Sequence, residues 1–138
     1  MGSELGVEAR IAGVHDAAEI EQAITLCTKG GQGGLIALPD AVTGVYTLQI
    51  IDLAAAYRLP TVYVYAAQVR IGGLVAYTTS VTQDVQRAAG YIDRVLRGAV
   101  VGELPVQANE RFRTLINLKT AAAPGLTISP SPWHRPTS

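Results

Sequence analysis

The chain has one cysteine, balanced charge and no long apolar run, and each of these features excludes a class of protein. Because Cys27 is the only cysteine among 138 residues, neither an intrachain disulfide nor a cysteine-rich metal site can form. The 11 acidic and 11 basic residues cancel, and no basic run provides the charge that nucleic-acid binding requires. No apolar run approaches the ~20 residues that span a bilayer, and the first residues lack the basic and apolar regions of a signal peptide. As written, we expect the chain to stay in the cytoplasm.

Hydrophobic residues make up 49% of the sequence, which is enough for one domain with its own core. Asp16 and the acid three residues later have capping-box spacing, and the apolar residues that follow recur with helical period. This pattern predicts a helix that ends near Thr28. Ser80 starts a second helix of the same kind, which Gly98 ends, and a third helical pattern covers residues 45–57.

Short apolar or β-branched runs alternate with these helices and predict strands. Residues 35–38 form an apolar run typical of a strand covered on both faces, and residues 61–65 are rich in β-branched and aromatic side chains. A further extended piece covers residues 74–77, and residues 112–118 alternate as a strand does. This order predicts an α/β fold of βαβ units with a mainly parallel sheet. Residues 129–138 contain three prolines, so we expect a flexible Pro/Ser-rich tail.

No residue pattern supports catalysis or metal binding. The glycine-rich stretch 29–34 lacks the Lys-Ser/Thr pair of a phosphate loop and precedes a strand, so it indicates a connector after a helix. His15 and His134 have no second ligand at metal spacing, and Cys27 lies on the apolar face of a helix, like a small buried hydrophobe. Asp52 falls in the middle of a helix, where a solvated position is expected. We therefore predict no enzyme activity, no metal and no cofactor.

Binding geometry is the remaining source of function. In an open parallel sheet, ligands lie beyond the carboxyl ends of the strands. This rule selects a set of candidate ligand-binding residues: Asp40, Ala41, Tyr65, Ala66, Gly73, Tyr77 and Thr78. Tyr65 ends its strand and can reach a cleft, with strand packing as an equal alternative. For Tyr63, strand packing is the favoured interpretation.

Several short motifs occur in a characteristic order. They are Leu38-Pro39-Asp40 at a strand end, the Gly72-Gly73 turn, Arg97-Gly98 at a helix end, and Ile116-Asn-Leu-Lys119. In these motifs, and over about residues 4–128, the chain resembles the substrate-binding proteins of ABC importers that include the tryptophan-type binders. The resemblance implies a lobe of a type I periplasmic-binding-protein-like fold, with hinge-return segments, over residues 1–128.

The resemblance also implies a function. In this family two lobes close around a small solute, such as an amino acid or small organic compound, and a membrane permease receives it from the periplasm. The family usually has Ser-Tyr-Gly where this chain has Ala76-Tyr77-Thr78, and a charged loop where it has Ala66-Ala67-Gln68, so the polarity of the ligand stays open. Pro124 implies that the last short helix ends early.

Relative to the family, the front of the chain lacks the first lobe and the first strand and helix of the second lobe. The missing strand usually lies between the next two, so residues 8–14 and 35–38 are expected to be strand edges without partners. Buried backbone groups without partners cost on the order of 1–3 kcal/mol each. We therefore expect a homo-oligomer, formed by exchange of strands or helices.

Three functional hypotheses follow from these patterns. The first is the solute-binding component of an ABC importer, in which this lobe forms one wall of a small-molecule cleft. The second is a truncated, non-catalytic module that mainly self-associates. The third is a small α/β enzyme, for which the sequence offers no pair of nucleophile and base.

Overall fold

The chain folds around one sheet, whose strands alternate with helices along the sequence. The computed structural model describes residues 6–29, 33–108 and 111–122. In chain order the elements are α1 (Ala17–Thr28), β1 (Leu35–Ile36), α2 (Ala41–Val45), α3 (Thr47–Ala56), β2 (Thr61–Tyr63), α4 (Ala66–Arg70), β3 (Val75–Thr78), α5 (Val81–Leu96), β4 (Arg113–Ile116) and α6 (Leu118–Ala122). A short 3₁₀ turn, Val101–Glu103, follows α5.

The strands of the sheet lie in the order β1-β2-β3-β4. β1, β2 and β3 pair in parallel, with Leu35 opposite Thr61 and Val62 opposite Val75. β4 returns antiparallel along β3, with Ile116 opposite Val75. Parallel neighbours need a crossover, and helices supply it between β1 and β2 and between β2 and β3. The predicted α/β fold with a mainly parallel sheet is thus confirmed.

Local chemistry sets the ends of the two longest helices at the predicted positions. Asp16 Oδ1 accepts a hydrogen bond from the Glu19 N–H at 2.9 Å and starts α1. Ser80 Oγ accepts one from the Gln83 N–H at 3.4 Å and starts α5. At the other end of α5, Gly98 has a φ of 94°, a conformation that glycine adopts without the steric cost of a side chain.

The core lies on one face of the sheet. Side chains of α1, α3 and α4 meet those of the strands there in one cluster: Ile20, Ile24, Ala37, Ile50, Ile51, Leu59, Tyr63, Val69 and Ala76. Among the described residues Tyr63 is the largest fully buried side chain, at 1% exposure, and burial raises the pKa of Tyr63 to about 12. Tyr63 therefore serves packing, as the sequence favoured.

The opposite face of the sheet is open within the described part of the chain. Val62, Val75 and Ile116 are cross-strand neighbours on this face, which Ile36 and Tyr77 extend. Ile36 is 67% exposed and Tyr77 is 55% exposed. The prediction that the strand at residues 35–38 is covered on both faces is therefore wrong, because its core-facing side chains are covered and Ile36 is not.

Two local predictions differ from the structure, and a third is confirmed with one helix added before it. Residues 8–14, expected to be a strand edge, form neither strand nor helix, since a lone strand gains no ladder hydrogen bonds. The helix predicted over residues 45–57 is confirmed as α3, and a short helix that the sequence did not predict, α2, precedes it because Asp40 caps its start. Residues 66–70, expected to be a loop, form α4, a helix too short for its period to be visible in the sequence.

Some predictions lie outside the described residues, namely those for Pro124, for His134 and for the tail at 129–138. Within the described ranges, no helix is both long enough and apolar enough to cross a membrane.

Candidate ligand-binding site

The carboxyl ends of β1 and β2 open into a pocket of about 460 Å³. α2 and α4 begin at this edge of the sheet and supply most of its walls. The lining residues are Pro39, Asp40, Thr43, Gly44, Thr47, Tyr65, Ala67, Gln68 and Ile71. The pocket lies where open parallel sheets bind ligands, and it brings together Asp40 and Tyr65, two of the residues predicted from the sequence.

Asp40 is held in place by the helix that it caps. Its Oδ1 accepts hydrogen bonds from the N–H groups of Val42 at 2.6 Å and Thr43 at 3.0 Å. The Thr43 hydroxyl accepts one from the Asp40 N–H at 3.1 Å and donates to the Leu38 carbonyl at 2.8 Å. Among the described residues nothing bonds Asp40 Oδ2, so one carboxylate oxygen is left for a ligand. The Asp-x-x-Thr spacing is the sequence signal that could have identified Thr43.

Tyr65 lines the pocket from the start of α4. Its side chain is half exposed, and its backbone N–H donates to Gln68 Oε1 at 3.0 Å. In the described part of the chain, the Tyr65 hydroxyl and the Gln68 amide nitrogen have no hydrogen-bond partner, so both can serve a ligand. Ile71 adds an apolar surface that is 52% exposed. Sequence reasoning missed Gln68 and Ile71 because it treated this segment as a loop.

An aromatic pair lies at the carboxyl end of β3. The rings of Tyr77 and Phe112 stack with their centroids 5.0 Å apart and their planes at 6°. Phe112 directly precedes β4, and the antiparallel return of β4 brings it beside Tyr77. The pair does not line the pocket itself. The sequence placed Phe112 in a strand but not in the site, since only the strand register shows which end of β3 it meets.

Three other predicted residues lie beside the pocket or within the sheet. Ala41 and Ala66 are the first residues of α2 and α4, each next to a pocket residue. Thr78 is buried, at 6% exposure, and its hydroxyl donates to the next backbone carbonyl at 3.2 Å. Thr78 therefore supports the end of β3 from inside the core.

Gly73 lies at the amino end of β3, away from the edge that carries the pocket. A Cβ at this position would stand 2.7 Å from the Gln68 carbonyl oxygen and 2.8 Å from the ring of Tyr63. Its N–H donates to the same Gln68 carbonyl at 2.8 Å. Gly73 is thus a residue of close packing, and the structure does not bring it to the pocket.

The pocket contains one carboxylate, two threonine hydroxyls, a phenol and an amide around an apolar side chain. Asp52 is exposed on α3 and does not line it. In the described ranges, no group of three or more His, Cys, Asp or Glu residues is placed to hold a metal.

An α/β lobe with a pocket beyond the carboxyl ends of its parallel strands defines a class of small-molecule-binding proteins. The family follows from the sequence as a whole. The chain belongs to the ABC transporter substrate binding protein family, whose family model matches residues 3–137. The family resemblance stated from the sequence motifs is thereby confirmed.

Two solved structures share the fold. A conserved domain protein from Vibrio cholerae O1 biovar El Tor is 21% identical with a TM-score of 0.80, and the match covers 94% of this chain and 43% of that one. An ABC domain from Streptococcus pneumoniae in complex with L-Trp is 22% identical with a TM-score of 0.75, covering 92% of this chain and 44% of that one. The chain spans less than half of each solved chain. None of the curated proteins compared with it matches.

Proposed function

We propose that this chain acts in the solute-binding component of an ABC importer and forms one wall of the solute cleft. The observation that carries the proposal is the pocket at the carboxyl ends of β1 and β2, lined by Asp40 and Tyr65, in a chain of a substrate-binding family. In this proposal residues 1–128 form one lobe with hinge-return segments, as expected from the sequence. The protein works in the periplasm, without enzymatic activity, and passes its solute to a permease.

The pocket suits an amino acid or a similarly small organic compound. The free oxygen of Asp40 can accept a hydrogen bond from an ammonium group, and such charge-assisted bonds are the stronger kind. The Tyr65 hydroxyl and the Gln68 amide can donate to a carboxylate, and Ile71 offers contact to an apolar side chain. The L-Trp bound by the Streptococcus pneumoniae protein makes amino acids the first class to test.

The test is titration calorimetry and thermal shift with a panel of amino acids and small organic acids. A single wall buries only part of a ligand, so we expect dissociation constants near the millimolar range, about −4 kcal/mol. Asp40→Asn keeps a good helix cap and removes the charge, so it should weaken binding of an amine ligand about tenfold.

Asp52→Asn is the matched control, because it removes an exposed carboxylate outside the pocket. The proposal fails for this pocket if Asp52→Asn and Asp40→Asn weaken binding equally. It fails for the chain if no member of the panel gives heat or a thermal shift.

Self-association is a second candidate function, favoured by the uncovered edge and face of the sheet. The N–H groups of Leu35 and Ala37 donate to the carbonyls of Pro60 and Val62 at 2.9 Å, so the backbone groups of Ile36 point away from the sheet. An outer edge of this kind, together with the open face around Val75, provides surface for a homo-oligomer.

A further inference from the structure

The α2 side of the pocket offers hydrogen-bond acceptors to a solute. Asp40 uses Oδ1 for two backbone N–H groups, which leaves Oδ2 open within the described ranges. The Thr43 hydroxyl donates its proton to the Leu38 carbonyl at 2.8 Å, and the Thr47 hydroxyl donates its proton to the Thr43 carbonyl at 2.8 Å. Because a hydroxyl has one proton, both threonines present lone pairs to a solute and no donor.

The start of α2, where a carboxylate could bind, is closed by the protein itself. Free N–H groups at the start of a helix attract anions. Here the Asp40 side chain accepts from the N–H groups of Val42 and Thr43, and the Asp40 N–H donates to the Thr43 hydroxyl at 3.1 Å. A carboxylate of the solute would therefore meet the carboxylate of Asp40 in place of open donors. Like charges at such a contact oppose binding.

The α4 side of the pocket provides donors without charge. The Tyr65 hydroxyl and the Gln68 amide nitrogen can each donate to a solute, but both groups are neutral. Among the described residues that line the pocket, Asp40 has the only charged side chain. Ile71 and Pro39 add apolar surface to the wall. The pocket therefore combines one fixed negative charge with neutral donors and an apolar wall.

We propose that the solute of this pocket is an organic amine with an apolar body, held at its ammonium group by Asp40, and that a carboxylate on the solute is not required. The inference rests on the proposed function and narrows its solute class. It concerns the end of the solute that meets this wall. A primary ammonium group has three N–H donors, which suit acceptors such as the open oxygen of Asp40 and the lone pairs of Thr47. Such amines are protonated at neutral pH, as a lysine side chain is.

The test is titration calorimetry on the full chain with ligands that share one ring system and differ only in their charged groups. Tryptamine has the ammonium group alone, indolepropionate has the carboxylate alone, and L-tryptophan has both. We expect tryptamine to bind within about threefold of L-tryptophan, and indolepropionate to bind about tenfold more weakly than tryptamine or worse. Isopentylamine, isocaproate and L-leucine repeat the comparison with an aliphatic body.

Two variants locate the contact. Asp40→Asn keeps the helix cap and removes the charge, so tryptamine should bind about tenfold more weakly. Indolepropionate should bind to Asp40→Asn no more weakly than to the wild type, because the variant removes a like charge. Asp52→Asn removes an exposed carboxylate outside the pocket and should leave every affinity unchanged. Circular dichroism confirms that both variants remain folded.

The outcomes separate this inference from the proposed function. If indolepropionate binds as tightly as tryptamine, or if L-tryptophan binds about tenfold more tightly than tryptamine, the amine class is wrong and solute binding stands. An undiminished affinity of Asp40→Asn for tryptamine, or an equal loss in Asp52→Asn, also overturns the inference. If no ligand of either series gives heat, the inference and the proposed function both fail for this chain.

Discussion

α1 and α5 begin with the same kind of cap and carry the same kind of apolar stripe, yet among the described residues only α1 is covered. Ile20 and Ile24 of α1 are 3% and 2% exposed, inside the cluster around Tyr63. Ile92 of α5 is 59% exposed. The difference teaches that an amphipathic pattern predicts a helix and the face that will make contacts, but not the body that it will contact. The following predictions test this contrast, from the largest expected effect to the smallest.

The contrast is sharpest for two isoleucines. Ile24→Ala should lower the free energy of unfolding by about 2–5 kcal/mol, because it opens a cavity in the core. Ile92→Ala should change it by less than about 0.5 kcal/mol, because the Ile92 side chain is 59% exposed. Urea denaturation followed by circular dichroism measures both. Equal losses would show that α5 is packed in the monomer.

Two glycines should give changes of opposite sign. Gly73→Ala forces a methyl group against the Gln68 carbonyl and the Tyr63 ring, so we expect a loss of about 1–3 kcal/mol. Gly90→Ala meets no atom within 4 Å and improves helix propensity, so we expect a gain of up to about 1 kcal/mol. Thermal unfolding curves of the two variants give the signs directly. A destabilising Gly90→Ala would mean that the α5 backbone is approached closely by another body.

The pH dependence of the free energy of unfolding should report the burial of Tyr63 in the core that α1 covers. Because the pKa of Tyr63 is raised to about 12 when folded, the unfolded chain releases this proton first, near its ordinary value of about 10. The stabilising effect is therefore complete below about pH 10 and is lost as the pH rises from 10 to 12. Tyr63→Phe should remove this part of the decline. Denaturation midpoints measured from pH 10 to 12 test this, with Tyr57→Phe as the control for an exposed tyrosine. If the wild type and Tyr63→Phe lose stability equally over this range, the raised pKa of Tyr63 is contradicted.

The smallest effect concerns the cap at the pocket. Asp40→Ala removes the acceptor for two backbone N–H groups and should cost about 1 kcal/mol. Asp40→Asn should be nearly neutral for stability, since asparagine caps helices about as well. Denaturant midpoints compare the two variants. If Asp40→Asn cost as much as Asp40→Ala, the carboxylate charge rather than the cap would be the source of stability.

Much of the fold followed from local chemistry. Asp16, Ser80 and Gly98 marked helix ends because caps act through hydrogen bonds and backbone conformations within a few residues. The alternation of helices with short apolar strands predicted a mainly parallel sheet. α4 could not be predicted in the same way, because five residues complete little more than one helical turn.

The candidate site was only partly predictable. The rule for open parallel sheets selected Asp40 and Tyr65, both of which line the pocket. The same rule selected Gly73, whose role is to let the Tyr63 ring approach the backbone. Gln68 and Phe112 were missed, because a side chain joins a site through the path of the backbone in space, which sequence spacing does not reveal.

The helix ends depend on neighbouring residues, and the family depends on the order of short motifs. Both, together with the order of strands along the chain, can therefore be predicted from the amino acids alone. Which faces are covered depends on contacts between residues far apart in the chain. Only the folded structure showed that α1 is covered and that, within the described ranges, one face of the sheet is open and the stripe of α5 is exposed. The physical reason is that burial is a property of two surfaces, whereas a sequence pattern describes only one of them.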